Sequence, residues 1–183
     1  ILFDWINDGG RLFCALPAKD DGGIAPLAER WGIEIGHQPI QPVQIDMNGA
    51  GLTRSLSKTH PITHEFDDSV IMTFVAPRAL VYSQIQQMTI ESIVQMPDRR
   101  QEKDARLQTI MAAIERDATM GDDLTLRTGR ILLCGDAHFL ENRYLTHYAT
   151  ANRELVVNAI SWLGGISTEG QQNVLNILRV AQD

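Results

Sequence analysis

The run Arg130-Ile131-Leu132-Leu133-Cys134, followed by Gly135-Asp136, is the feature that most constrains the fold of this chain. A continuous apolar run is typical of a strand that is covered on both faces. The Gly-Asp pair then marks the change from strand to loop. A second run of the same kind is Arg11-Leu12-Phe13-Cys14-Ala15-Leu16. We therefore predict that the two runs are parallel strands, neighbours or nearly so, in one sheet.

Short segments with helical periodicity alternate with these runs. Residues 2–6 place their apolar side chains on one helical face, and Gly9 follows as a C-terminal stop. Pro26 lies near the start of a second predicted helix, which Gly32 ends. Helix and strand in such short alternating steps indicate an α/β sheet.

The longest predicted helix has an apolar stripe between residues 155 and 163. Asn152 is its predicted N-cap, and Glu154 lies in the first turn, where it interacts favourably with the helix dipole. Gly164-Gly165 supplies the stop.

Apolar and β-branched residues predict further strands at 33–35, 43–45, 70–75, 79–82 and 89–94. The segment 107–119 is ambiguous, because its composition favours helix while its run of apolar residues also allows a buried strand. The segment 173–180 is consistent either with a last strand or with a short tail helix.

The chain has 183 residues, which predicts one domain spanning 1–183. Its net charge is −7, with no basic face of the kind that binds nucleic acid, and an acidic surface also disfavours anionic lipid. No stretch approaches the roughly 18 apolar residues of a membrane span. The first residues lack the basic region of a signal peptide. The chain begins without Met, and we expect it to be part of a longer protein.

Two cysteines, Cys14 and Cys134, each lie inside an apolar run, which predicts buried free thiols rather than a disulfide. Cys14 precedes the end of its strand, so it does not occupy the sharp turn that presents a catalytic nucleophile. His60 and His64 have the spacing of a helical metal face, but Pro61 favours extended backbone at His60. We therefore expect these two to be solvated loop histidines, and no metal or cofactor is predicted.

The loop after Cys134 gathers four polar side chains: Asp136, His138, Glu141 and Asn142. Loops at the carboxyl edge of open α/β sheets often bind ligands, and an Asp-His pair is able to carry out acid–base chemistry. The alternative, which we favour, is that Asp136 and Asn142 hold the loop by side-chain-to-backbone hydrogen bonds.

Four stretches, in order, resemble the GldG-like family of ABC-transporter auxiliary proteins of the gliding-motility type. They are Trp5-Ile6-Asn7-Asp8-Gly9-Gly10-Arg11-Leu12-Phe13, then 27–35, then His60-Pro61-Ile62-Thr63 with Phe66, and finally 129–163 with its Gly135-Asp136-Ala137-His138-Phe139 and Asn158-Ala159-Ile160-Ser161-Trp162-Leu163.

The resemblance implies a doubly wound, mostly parallel sheet of the flavodoxin-like or class I glutamine amidotransferase-like type, without its first strands. Amidotransferases carry a cysteine nucleophile where this chain has Leu16-Pro17, so the resemblance implies a domain without catalysis. It also favours a strand at 107–119.

The implied role is that of a non-catalytic extracytoplasmic or periplasmic domain, anchored to the membrane by segments outside this chain. Its implied partners are the transporter permease or other accessory subunits, and its ligand is a protein or a carbohydrate-like molecule. The competing hypothesis is a hydrolase or amidotransferase-type enzyme that uses Asp136 and His138.

Overall fold

The computed structural model describes residues 1–20, 22–100, 106–117, 119–120 and 126–165. The helices are α1 (Leu2–Asn7), α2 (Ala25–Arg30), α3 (Asn142–Leu145) and α4 (Asn152–Gly164), with a 3-10 turn at His138–Leu140. The strands are β1 (Arg11–Ala15), β2 (Ile33–Pro39), β3 (Gly51–Thr53), β4 (Ser55–Leu56), β5 (Met72–Phe74), β6 (Arg78–Tyr82), β7 (Met88–Pro97), β8 (Leu107–Arg116), β9 (Thr119–Met120), β10 (Leu126–Arg127) and β11 (Arg130–Cys134).

The central sheet has five strands in the order β1-β11-β8-β7-β4. The strands β1 and β11 are parallel, and their register runs from the pair Arg11 and Arg130 to the pair Ala15 and Cys134. This confirms the prediction that the two apolar runs are neighbouring parallel strands.

The prediction of a doubly wound, mostly parallel sheet is wrong. In the described residues β1–β11 is the one parallel pair, and β4, β7, β8 and β11 follow one another antiparallel. Three two-stranded antiparallel sheets accompany the central one: β2–β6, β3–β5 and β9–β10. A parallel neighbour needs a crossover of a dozen or more residues, usually a helix, and 98–106 is too short to return β7 to β8 in that way.

The individual strands agree better with the sequence than their arrangement does. The ambiguous segment 107–119 forms a strand over Leu107–Arg116. Of its last three residues, position 118 lies outside the described part of the chain. The strand expected at 43–45 is wrong, because only Ile45 there makes a bridge, to Gly51. The tail 173–180 lies outside the described residues.

Both faces of β11 are buried, as its sequence predicts. Successive side chains of a strand point to opposite faces, so Leu132 and Cys134 join one core cluster while Ile131 and Leu133 join the other. The first cluster lies between the sheet, α4 and the β3–β5 pair; the second lies between the sheet, α1, α2 and the β2–β6 pair. Prominent members of the first are Phe74, Met96, Met111, Phe139 and Trp162, and of the second Ile6, Trp31, Ile33, Leu80 and Ile114.

Gly135 joins the central sheet to the β2–β6 layer. Its N–H donates to the carbonyl of Ile110 at 2.8 Å, and its own carbonyl accepts from the N–H of Arg78 at 2.9 Å. A Cβ at this position would overlap the carbonyl oxygen of Arg78. Glycine is therefore required here by the close approach of two backbones.

We expect Gly135→Ala to lower the free energy of unfolding by about 3 kcal/mol, because the overlap forces the two layers apart. Chemical denaturation followed by circular dichroism measures the change. The matched control is Gly36→Ala, where the nearest atom to the added Cβ is the Ala79 oxygen at 3.2 Å, and a much smaller loss is expected. Equal losses in the two variants would contradict this explanation.

Candidate functional site

The Asp136 carboxylate is fully buried and binds backbone N–H groups from two directions. Oδ1 accepts from the N–H of His138 at 2.9 Å, which closes the turn, and Oδ2 accepts from the N–H of Val75 at 2.6 Å. Burial raises the pKa of the Asp136 carboxyl, although these N–H donors favour its charged form. This is the geometry that the architectural interpretation predicts for Asp136.

The other three residues of the loop lie closer to solvent. His138 Nδ1 is 2.6 Å from Glu141 Oε1, and Arg143 Nε is 2.8 Å from Glu141 Oε2. The hydrogen bond from His138 lowers the pKa of the Glu141 carboxyl. Asn142 is exposed, and its backbone carbonyl accepts from the N–H of Thr146 at 2.9 Å. His138 is thus paired with Glu141, whereas Asp136 is turned to the interior.

We expect Asp136→Ala to lower the free energy of unfolding by about 1–3 kcal/mol, because the partly buried N–H groups of Val75 and His138 lose their acceptor. Asp136→Asn is expected to lose a similar amount, since its amide points an N–H at one of those donors. His138→Ala, at a half-exposed position, is the control and should melt near the wild-type temperature. If Asp136→Ala melted at or above the wild-type temperature, the architectural interpretation would be wrong and a ligand at the loop would be favoured.

A cleft of about 570 Å³ opens on the α4 face of the central sheet, away from this loop. It exists because α4 packs over β1 and β11 and leaves the ends of β7 and β8 uncovered. The residues that line it are His60, Pro61, Thr89, Glu91, Ala113, Glu115, Arg116, Asp117, Thr128, Arg130 and Trp162.

Arg130 builds one wall of the cleft. Its Nε donates to Glu115 Oε2 at 2.9 Å across the β8–β11 pair, and its Nη1 donates to the carbonyl of Trp162 at 2.7 Å. The guanidinium also lies 5.2 Å from the centre of the Trp162 ring. Arg11, its neighbour on β1, donates to the carbonyl of Leu163. Two arginines therefore bind the terminal carbonyls of α4, where the helix dipole favours positive charge.

Glu91 forms part of the opposite wall. Its Oε1 accepts from the hydroxyls of Ser57 at 2.6 Å and Thr59 at 3.0 Å. These two donors fix the orientation of the carboxylate. Within the described ranges, Oε2 forms no further hydrogen bond and remains able to accept one.

His60 is buried beside the cleft, which corrects the expectation of a solvated histidine; His64 is exposed as expected. The Nδ1 of His60 accepts from the N–H of Ile62 at 3.2 Å, and its ring packs edge-on against Trp162 at 5.0 Å. Because Nδ1 accepts, the proton of the neutral ring is on Nε2. Burial lowers the pKa of the His60 imidazole, against the smaller opposing effect of Glu91.

This lowered pKa makes stability depend on pH. Between the folded-state pKa of His60 and about 6.5, the unfolded chain binds more protons than the folded one. The contribution of His60 to the free energy of unfolding should therefore fall as the pH drops from 7 towards 5. His60→Asn keeps an acceptor for the Ile62 N–H but does not titrate, so its decline over this range should be smaller.

Urea denaturation at pH 7 and at pH 5 measures the effect, with His64→Asn, at an exposed position outside the cleft, as the control for the substitution itself. A His60→Asn variant that lost as much stability as the wild type over this range would contradict the assignment.

The cysteines lie apart from the cleft residues and form no disulfide. Cys134 is buried and Cys14 is half-buried, and burial raises the pKa of both thiols. At the place of an amidotransferase nucleophile, Leu16 continues the sheet, because its N–H donates to Cys134 and its carbonyl accepts from Ala137. Among the described residues, no group of three or more His, Cys, Asp or Glu is placed to bind a metal.

Sequence reasoning missed the cleft residues Glu91, Glu115 and Arg130. A sequence signal for such residues does exist. It is a charged side chain within a strand, or at its end, on a face of the strand that otherwise carries mainly apolar side chains. Which of these charges lie together follows from the pairing of β7, β8 and β11, and that pairing was not predicted.

No known family model matches the chain, and no curated protein matches it. A solved structure described as "mmIFT52 N-terminal domain" is similar in fold, with a TM-score of 0.64 and 13% sequence identity. The match covers 88% of this chain and 68% of that one. At this identity the likeness extends to the fold alone. It agrees with the mixed, sheet-rich architecture and not with a doubly wound parallel sheet.

The resemblance to the GldG-like family stays a prediction. None of the helices in the described part is long and apolar enough to cross a membrane.

Proposed function

We propose that the chain is a non-catalytic binding domain whose cleft takes a neutral, hydroxyl-rich ligand of the carbohydrate type. The single observation that carries the proposal is the balance of donors and acceptors along its walls. Among the described residues, the lining includes the acidic residues Glu91, Glu115 and Asp117 and the arginines Arg116 and Arg130, and Glu115 already pairs with Arg130. A hydroxyl both donates and accepts, so a polyol is able to bind such a surface without a large net charge.

The polar groups of the cleft are already oriented before a ligand arrives. Glu91 is held by two hydroxyls, Glu115 by Arg130, and His60 by the Ile62 N–H. Oε2 of Glu91 forms no hydrogen bond within the described residues. Fixed groups with unused hydrogen-bonding capacity lower the entropic cost of binding.

The proposal that the domain is non-catalytic is supported by the hydrogen bonding and the pKa values of the candidate catalytic groups. The Asp136 carboxylate is occupied by backbone donors, and both thiols have raised pKa values in an apolar setting. A thiol with a raised pKa is a poor nucleophile, since the thiolate is the reactive form. The alternative, an enzyme that uses Asp136 and His138, would require the Asp136 turn to open first.

The wider role proposed for the chain is that of an extracytoplasmic auxiliary component of an ABC transporter, with the permease or accessory subunits as partners. Its support is the sequence resemblance, independent of the cleft. Co-purification of the full-length protein with a permease encoded beside it measures this part of the proposal.

We expect mono- and oligosaccharides to shift the NMR signals of the Trp162 indole and of backbone amides on β7 and β8. Glu91→Gln should weaken binding by about tenfold, equivalent to about 1.4 kcal/mol, because a charged acceptor of a ligand hydroxyl is lost. Glu65→Gln, an exposed carboxylate outside the cleft, is the matched control and should bind as the wild type does.

Failure of every saccharide in a broad panel to shift these signals would overturn the ligand proposal. Release of a cleaved product from any of them would overturn the non-catalytic assignment instead.

A further inference from the structure

A second cavity, of about 350 Å³, lies on the other side of the protein, in the β2–β6 layer. Among the described residues, its lining comes from α2, β2 and the first residue of β6: Ala25, Glu29, Glu34, Ile35, His37 and Arg78. Its volume is in the range of sites for small ligands. None of these residues lines the cleft described above.

Arg78 is the deepest charged group of this cavity, with only 5% of its surface exposed. Its Nε donates to the carbonyl of Gly36 at 2.7 Å, and its Nη1 donates to the carbonyl of Asp20 at 3.0 Å. A guanidinium has five N–H donors, so three remain without a hydrogen-bond partner in the described part of the chain. No carboxylate in the described part of the chain forms an ion pair with Arg78.

A buried cation that lacks an anionic partner is costly, and backbone carbonyls compensate only part of the lost hydration. The two carbonyl contacts fix the orientation of the guanidinium, whose other three donors have no hydrogen-bond partner in the described part of the chain. A planar guanidinium is suited to binding a carboxylate through two parallel hydrogen bonds. The inner end of the cavity is therefore built for an anionic group.

The outer part of the same cavity has the opposite charge. Glu29, on α2, and Glu34, on β2, are both exposed and line it. A ligand that is purely anionic is repelled by these two carboxylates, and one that is purely cationic is repelled by Arg78. The charge pattern matches a molecule that carries both signs a short distance apart.

We propose that this cavity binds a small zwitterion of the amino-acid class. The ligand carboxylate pairs with the free donors of Arg78, and its ammonium group lies between Glu29 and Glu34. The ion pair with Arg78 supplies the buried charge with the partner that it lacks in the described chain. This site is independent of the carbohydrate cleft, so either proposal can fail without the other.

The test uses the whole chain and a panel of free amino acids from glycine to phenylalanine. Each is compared with two singly charged analogues, for example glycine with acetate and with methylamine. NMR titration followed on the amides of α2 and β2 should show at least tenfold tighter binding for a panel member than for its analogues.

Variants of the rim separate the two ends of the ligand. Glu34→Gln and Glu29→Gln should each weaken binding of the amino acid by at least threefold. Neither should weaken binding of the carboxylate analogue, since only the ammonium group contacts the rim. Both positions are exposed, so both variants should fold. Glu65→Gln, away from the cavity, is the matched control and should change neither affinity. Arg78→Lys, if it folds, should weaken binding of both the amino acid and its carboxylate analogue.

Three outcomes would overturn the proposal. The first is that no amino acid in the panel shifts the signals of α2 and β2. The second is that a carboxylate analogue binds as tightly as its amino acid, which would indicate a simple anion site. The third is an equal loss of affinity in Glu65→Gln, which would indicate a general effect of surface charge.

Discussion

The free edge of β5 is the constraint on which the rest of the structure depends. This short strand pairs with β3 on one side, and on the other side it has no strand neighbour in the described residues. The amide of Asn152 takes that place: its Oδ1 accepts from the Thr73 N–H at 2.9 Å and its Nδ2 donates to the Thr73 carbonyl at 2.8 Å. Asp136 then binds the N–H of Val75. Buried backbone groups without partners are costly, so two side chains supply here what a strand would supply elsewhere.

These two contacts connect three elements that are distant in sequence. Asn152 is the first residue of α4, so its bonds to β5 fix where that helix starts, while Arg11 and Arg130 bind the carbonyls at its other end. A helix held at both ends lies mainly over β1 and β11. The exposed parts of β7 and β8 then form the floor of the cleft, and Arg130 serves both the helix and the cleft wall.

The two proposed sites lie on opposite sides of the central sheet, since alternate residues of its strands face separate cores. Both contain an arginine that holds backbone carbonyls, but the two arginines differ in their remaining contacts. Arg130 has a carboxylate partner in Glu115, which leaves its cleft nearly balanced in charge and suited to hydroxyl groups. Arg78 has only carbonyls among the described residues, which makes its cavity selective for an anionic group.

Local patterns in the sequence determined most of the elements: the apolar runs of β1 and β11 and the apolar face of α4 with its stop at Gly165. They also predicted free thiols, of which Cys134 is buried and Cys14 is half-buried. Tertiary structure alone decided how these elements are arranged. Periodicity shows that a segment is a strand but not which strand lies beside it or in which direction, so the doubly wound sheet was wrong. The same limit explains Asn152, a residue type that suits an N-cap. Its amide binds β5 instead, because it satisfies the buried backbone N–H and carbonyl of Thr73, which lies 79 residues away in sequence. The cleft follows the same logic, since Glu91, Glu115 and Arg130 meet only once three strands are paired.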